Sequence, residues 1–188
     1  MSKSLKYLMT ALVMLSFGVS NAQIKNSKTE THDHSNHTAT TEKQEINQLK
    51  AVFEGYFAVK DALVKADAGT SSTKAAELLK AIKAVEMTKL STDEHTVWMK
   101  VMKDLTANTE KMATSKDITK QREAFVILST NIYELAKVSR KDAPIYYQHC
   151  PMANGGNGAN WLSKENAIKN PYYGSKMLTC GSTVETLK

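Results

Sequence analysis

The sequence predicts an all-α protein, an up-and-down four-helix bundle followed by an irregular C-terminal segment rich in Cys, Met and Gly. Apolar residues recur at helical spacing through residues 43–140. Only short breaks separate the four periodic stretches, which favours antiparallel packing of consecutive helices. Pro144 ends this pattern. We therefore predict a helical domain over residues 43–188, in which residues 144–182 form a separate motif segment.

The N-terminus has the pattern of a secretory signal peptide. Lys3 and Lys6 precede an apolar run over residues 7–19, and small residues follow up to Ala22. The run is about 13 residues long, whereas a membrane-spanning helix needs roughly 20. We expect cleavage after Ala22, no membrane anchor after cleavage, and a periplasmic or otherwise secreted mature protein.

Residues 23–42 are polar and almost free of large apolar side chains, which predicts a disordered leader. This leader contains three of the five histidines, His32, His34 and His37. Such a cluster could hold Cu(II) or Zn(II) weakly. A polar linker with chance histidines explains it equally well.

Individual residues mark the boundaries of the four predicted helices. Gly69 is expected to end the first helix. Ser91 and Glu94 form a capping-box pattern at the start of the third, and the fourth runs from Ile118. The methionines of this region are predicted to fill the core: Met87, Met99, Met102 and Met112.

Charge and motif content argue against two classes of function. The formal net charge is +6, and the predicted signal peptide accounts for two of the lysines. The remaining lysines alternate with acids along helical segments, so we do not predict nucleic-acid binding. The sequence contains no Cys-x-x-Cys, Gly-x-Ser-x-Gly, His-Glu-x-x-His or Walker motif. We do not predict an enzyme, and we expect His95 on the surface.

The motif segment gathers the candidate metal ligands His149, Cys150, Met152, Met177 and Cys180. Thiolate and thioether donors select Cu(I), for which Ag(I) is a surrogate, over hard ions. The proline after Cys150 favours an extended chain, in which Cys150 and Met152 project to the same side. Met177 and Cys180 are three residues apart, the spacing of one face of a helical turn. The prediction is a periplasmic Cu(I)- or Ag(I)-binding protein.

A structural disulfide is the alternative interpretation of the two cysteines. An exported protein meets a disulfide-permissive compartment. A bridge between Cys150 and Cys180 closes a loop of about 30 residues, which the chain-entropy estimate values at roughly 3.5 kcal/mol. In that case the protein is a disulfide-stapled, partner-binding helical module without metal.

The motif segment also carries a family resemblance. Tyr147-x-x-Cys150-Pro-Met152 resembles the Tyr-x-Cys-Pro-Met heavy-metal motif of periplasmic adaptor subunits in copper and silver efflux systems. The run from Tyr146 to Gly181 is similar to a bacterial exported family of unknown function that also occurs as the C-terminal domain of such adaptors. The resemblance implies soft-metal handling outside the cytoplasm, with a heavy-metal efflux complex as partner. Here Ala153-Asn154 replace the His-Pro that continues the adaptor motif.

Overall fold

Four helices form the first part of residues 48–188, the range that the computed structural model describes. They are α1 (Lys50–Val64), α2 (Ala68–Lys83), α3 (Thr92–Thr114) and α4 (Ile118–Val138). Each helix packs against the next one along the chain. The prediction of four helices is confirmed, whereas the predicted signal peptide and leader lie outside the described residues.

Side-chain caps mark the beginnings of α2, α3 and α4. Ser91 accepts from the Glu94 amide, and the Glu94 carboxylate accepts from the Ser91 amide, so the predicted capping box is present at α3. The prediction that Gly69 ends the first helix is wrong. Asp67 caps α2 by accepting from the Thr70 amide at 2.9 Å, which places Gly69 inside the first turn of α2.

The methionines divide between the core and the surface. Met112 is fully buried, as predicted, and Met102 is half-buried. The core prediction is wrong for Met87 and Met99, whose relative exposures are 41% and 53%. None of the helices in residues 48–188 is long and apolar enough to cross a membrane.

The C-terminal segment folds into a three-stranded antiparallel sheet, so the all-α prediction is wrong for this part. The strands are β1 (Ile145–Cys150), β2 (Ala159–Ser163) and β3 (Ser182–Leu187), in the order β2-β1-β3. The strands are short, and β1 pairs with β3 across a register shift between Tyr147 and Gln148. Residues on both faces of β1 and β2 are buried, which removes the polar–apolar alternation that predicts a strand from sequence.

Two different parts of the chain cover the two faces of the sheet. On one face Tyr147 stacks on Tyr133 of α4, with ring centroids 3.8 Å apart. On the other face Gln148 donates to the carbonyl of Glu165. Glu165 belongs to the loop of residues 164–181, which covers this face. The central strand is therefore enclosed between α4 and this C-terminal loop.

The Tyr56 hydroxyl gives the first testable prediction. It lies 2.9 Å from Ser129 Oγ of α4 and accepts from the Leu162 amide of β2 at 3.0 Å. Tyr56→Phe leaves both partners buried without this bond, which costs about 1–3 kcal/mol of unfolding free energy. Urea denaturation measures the loss.

Tyr146→Phe is the matched control for that experiment. Tyr146 is half-buried, and its hydroxyl makes no hydrogen bond within residues 48–188. A change below about 0.5 kcal/mol is expected for this surface-type substitution. Equal losses in the two variants would contradict a docking role for Tyr56.

Candidate functional site

Cys150 and Cys180 meet at the junction between the sheet and the loop that covers it. Their Sγ atoms are 2.8 Å apart, and both residues are free thiols. Cys150 is fully buried, whereas Cys180 is half-buried. One sulfur is therefore part of the core, and the other faces both the core and solvent.

The end of β1 fixes the position of Cys150. The strand is extended up to Cys150, as Pro151 predicts, and then the chain turns, with the Ala153 amide donating to the Cys150 carbonyl at 3.3 Å. Pro151 occupies the second position of this turn, where its fixed φ is favourable. Met152 lies in the turn, so the expectation that it continues an extended strand is wrong.

Asn170 fixes the position of Cys180. Its side chain donates to the Cys180 carbonyl at 2.8 Å, and its amide donates to the Leu178 carbonyl at 2.8 Å. Its Oδ1 accepts from the amides of Tyr172 and Tyr173. Asn170 is fully buried, and sequence reasoning missed its role. The sequence feature that could have indicated it is the asparagine before Pro171, because such a pair starts turns through hydrogen bonds from the side chain to the backbone.

Gly181 allows the loop to approach β1 closely. Its φ is +137°, a conformation that favours glycine. A Cβ at this position would lie 2.6 Å from the His149 carbonyl oxygen and 2.9 Å from the Trp161 ring. A larger residue would therefore push Cys180 away from Cys150.

The two candidate methionines flank Cys180. The Met152 backbone amide lies close enough to the Cys180 thiol to lower its pKa, and the Met177 carbonyl accepts from the Cys180 amide at 3.1 Å. Their side chains have relative exposures of 53% and 38%. Met177 follows a 3₁₀ turn, with φ −148° and ψ 55°, so the predicted helical face shared with Cys180 is not formed. The backbones of both methionines lie next to Cys180, and their side chains reach solvent.

The structure does not bring His149 together with the cysteines. Adjacent strand residues point to opposite faces, so His149 lies on the helix-facing side of β1. There its Nδ1 donates to Asn160 Oδ1, because the Asn160 amide group already donates to the Tyr147 hydroxyl. The imidazole belongs to this polar network and not to the sulfur cluster.

The contact with Cys150 affects the protonation of the Cys180 thiol. The hydrogen bond with Cys150, then burial and repulsion from the Cys150 thiolate, raise the pKa of the Cys180 thiol, although the Met152 amide opposes this shift. Within residues 48–188, no three His, Cys, Asp or Glu side chains lie close enough together to hold a metal ion. Two thiolates alone suffice for a two-coordinate ion, whereas a higher coordination number at this pair requires thioether, backbone or non-protein ligands.

This raised pKa predicts the pH dependence of alkylation in the reduced, metal-free protein. The thiolate is the nucleophile, so iodoacetamide should modify native Cys180 with a midpoint above that of an ordinary cysteine. Mass spectrometry of the Cys180 peptide after short reaction times at pH 7–11 gives the profile. The same protein in urea is the control, because unfolding removes the contact with Cys150. Coincident midpoints in the native and unfolded proteins would contradict this assignment.

Comparison with known proteins found one protein family whose model matches part of the chain. Residues 52–143 match a family described as "Protein of unknown function (DUF3347)". This range contains nearly all of the four helices and ends just before β1. No curated protein and no solved structure matches the chain. The match supports a resemblance to a family of unknown function, and it does not include the cysteine pair.

Proposed function

We propose that this protein is exported and binds one Cu(I) ion through Cys150 and Cys180, with Ag(I) able to take its place. The observation that carries the proposal is the contact of two free thiols between two methionine-bearing turns. Met152 and Met177 are the candidates to complete the coordination. His149 is left out of the ligand set because it faces the other side of β1.

The donor set suits a soft monovalent ion. Binding replaces two thiol protons with the metal, so two protons are released for each ion bound. The positive ion offsets the charge of a buried thiolate, which is costly when it is unpaired. Thioethers add soft donor capacity without further charge, and hard ions such as Mn(II) gain little from them.

The thiols must separate to admit the ion. Thiolate bonds to a tetrahedral ion such as Zn(II) are about 2.3 Å long, so two thiolates on one ion lie roughly 3.8 Å apart at a tetrahedral angle. The observed separation is 2.8 Å. Cys150 is fixed in the central strand, whereas Cys180 lies in a half-buried turn. The increase of about 1 Å therefore has to come mainly from the Cys180 turn.

The exposure of the site favours transfer over permanent storage. Cys180, Met152 and Met177 all reach solvent, so a partner's ligand can approach the ion without unfolding the sheet. We propose that the recipient or donor is a heavy-metal efflux complex, as the resemblance of the motif segment implies. The protein acts as a carrier or sequestering module and not as an enzyme.

The short distance between the sulfurs also favours a second candidate function. A pair at 2.8 Å is closer than two thiolates on one metal ion, and oxidation to a disulfide needs only a small further approach. That reaction removes two protons and two electrons, which an added disulfide oxidant such as oxidised dithiothreitol accepts in vitro. The product would be a stapled helical module that binds a partner without metal.

Cysteine and methionine substitutions test the copper proposal. The Cys150→Ser, Cys180→Ser double variant should lose at least a hundredfold in Cu(I) affinity, because only thioethers remain. Met152→Leu or Met177→Leu should lose about tenfold or less, since both thiolates are kept. Anaerobic competition against a chromophoric Cu(I) chelator measures the affinities.

The oxidised wild-type protein separates the two candidate functions. An oxidised thiol has no thiolate to offer, so oxidation should abolish tight Cu(I) binding. Met112→Leu is the matched control, because this thioether is fully buried away from the pair. Equal Cu(I) affinity in the oxidised, reduced and double-variant proteins ends the case for a cysteine site. Melting temperatures that depend on oxidation alone support the stapled module.

Metal selectivity gives a further prediction. The reduced protein should bind Cu(I) or Ag(I) at least a thousandfold more tightly than Ni(II) or Mn(II), because two thiolates and a thioether are soft donors. Deleting residues 23–40 removes the leader histidines and should leave the Cu(I) affinity unchanged. Loss of Cu(I) binding in the deletion variant would place the site in the leader.

A further inference from the structure

A second set of soft donors lies on α3, apart from the cysteine pair. His95, Met99 and Met102 occupy positions i, i+4 and i+7 of this helix. Residues three and four apart share a helix face, with about 5–6 Å between their Cβ atoms. Met99 is therefore the neighbour of both His95 and Met102.

These three side chains lie on the solvent side of α3 or at its edge. His95 is exposed, Met99 has more than half of its surface in solvent, and Met102 is half-buried beside the core. The core face of α3 is formed by other residues, including Trp98, Val101 and Leu105. Packing thus accounts for Met102 in part and does not account for Met99.

The direction of helical side chains favours convergence of the three donors. Long side chains on a helix point back toward its N-terminus. This tendency would bring the thioethers of Met99 and Met102 toward His95. The His95 backbone amide donates a hydrogen bond to the Ser91 carbonyl at 2.8 Å, and the capping box adjoins it. These bonds fix the backbone that carries His95.

We infer that His95, Met99 and Met102 form a second binding site for Cu(I) or Ag(I), on the surface of α3. One imidazole and two thioethers are soft or borderline donors and leave the ion's charge uncompensated. Exposed Lys103 follows Met99 by four residues, and its charge repels every cation, divalent ions about twice as strongly as monovalent ones. The site binds more weakly than a dithiolate site and does not depend on the cysteines.

Methyl resonances of methionine test this inference on the whole mature protein. Six methionines follow residue 22, so ¹³C-methyl labelling gives six signals that single Met→Leu variants assign. The probe is Ag(I), added beyond one equivalent to the reduced wild-type protein. The Met99 and Met102 signals should shift together and saturate. The same shifts should occur in the Cys150→Ser, Cys180→Ser variant, so the result is independent of the cysteine site.

Met87 and His95 supply the controls. Met87 is an exposed methionine outside α3, in the 3₁₀ turn Met87–Lys89, and its signal should not move. His95→Ala should weaken the Ag(I) dependence of the Met99 shift at least tenfold, whereas His149→Ala should leave it unchanged. The inference is overturned if Met99 and Met102 do not shift, if Met87 shifts equally, or if His95→Ala has no effect. Should the cysteine variant not fold, the wild-type titration still decides.

Discussion

The hydroxyl of Tyr56 joins the helices to the sheet. β2 is an edge strand, and its Leu162 amide has no strand partner on the outer side, where the Tyr56 oxygen accepts its proton. The same hydroxyl pairs with Ser129 of α4, and the Tyr56 ring stacks on Phe125 at 5.3 Å. Burial raises the pKa of Tyr56 well above its ordinary value, so the hydroxyl stays protonated. One side chain of α1 therefore helps to position β2 on the bundle, together with α4, which packs against β2 and stacks on β1 through Tyr133.

The cysteine pair lies where two segments of the chain meet. Cys150 ends β1, and Cys180 lies in the loop that Asn170 orders. Arg122 of α4 attaches this loop to the helices by donating to the Pro171 carbonyl at 2.9 Å.

The loop is also bonded to the sheet and to the turn that follows Cys150. The Tyr172 hydroxyl donates to the Asn160 carbonyl of β2, and the Tyr173 hydroxyl donates to the Met152 carbonyl. A bond or metal ion between the sulfurs would therefore add a link to two segments that are already held together by hydrogen bonds.

Features that depend on neighbouring residues were predicted from the sequence better than features that depend on contacts between distant residues. The capping box at Ser91 and the start of α4 at Ile118 depend on neighbouring residues, and both are present. The sheet was missed because both faces of β1 and β2 are buried, so these two strands lack the alternation of polar and apolar residues. Pairing of the cysteines followed from their being the only two, whereas the separation of His149 from them depends on strand direction. Asn170 acts through backbone groups, which residue types alone do not reveal.

The thioether and thiol side chains differ in exposure and in their ability to ionise. In residues 48–188, four of the seven large apolar side chains that are exposed are methionines, while the thiols are buried or half-buried. A buried thiolate is costly until a cation pairs with it, so in the proposed copper site the metal affinity of the cysteines would depend on the loss of protons. Thioethers carry no proton, so they can stay in water at any pH. If the proposal holds, exposed thioethers would suit first capture of the ion, and the thiol pair would suit tighter binding.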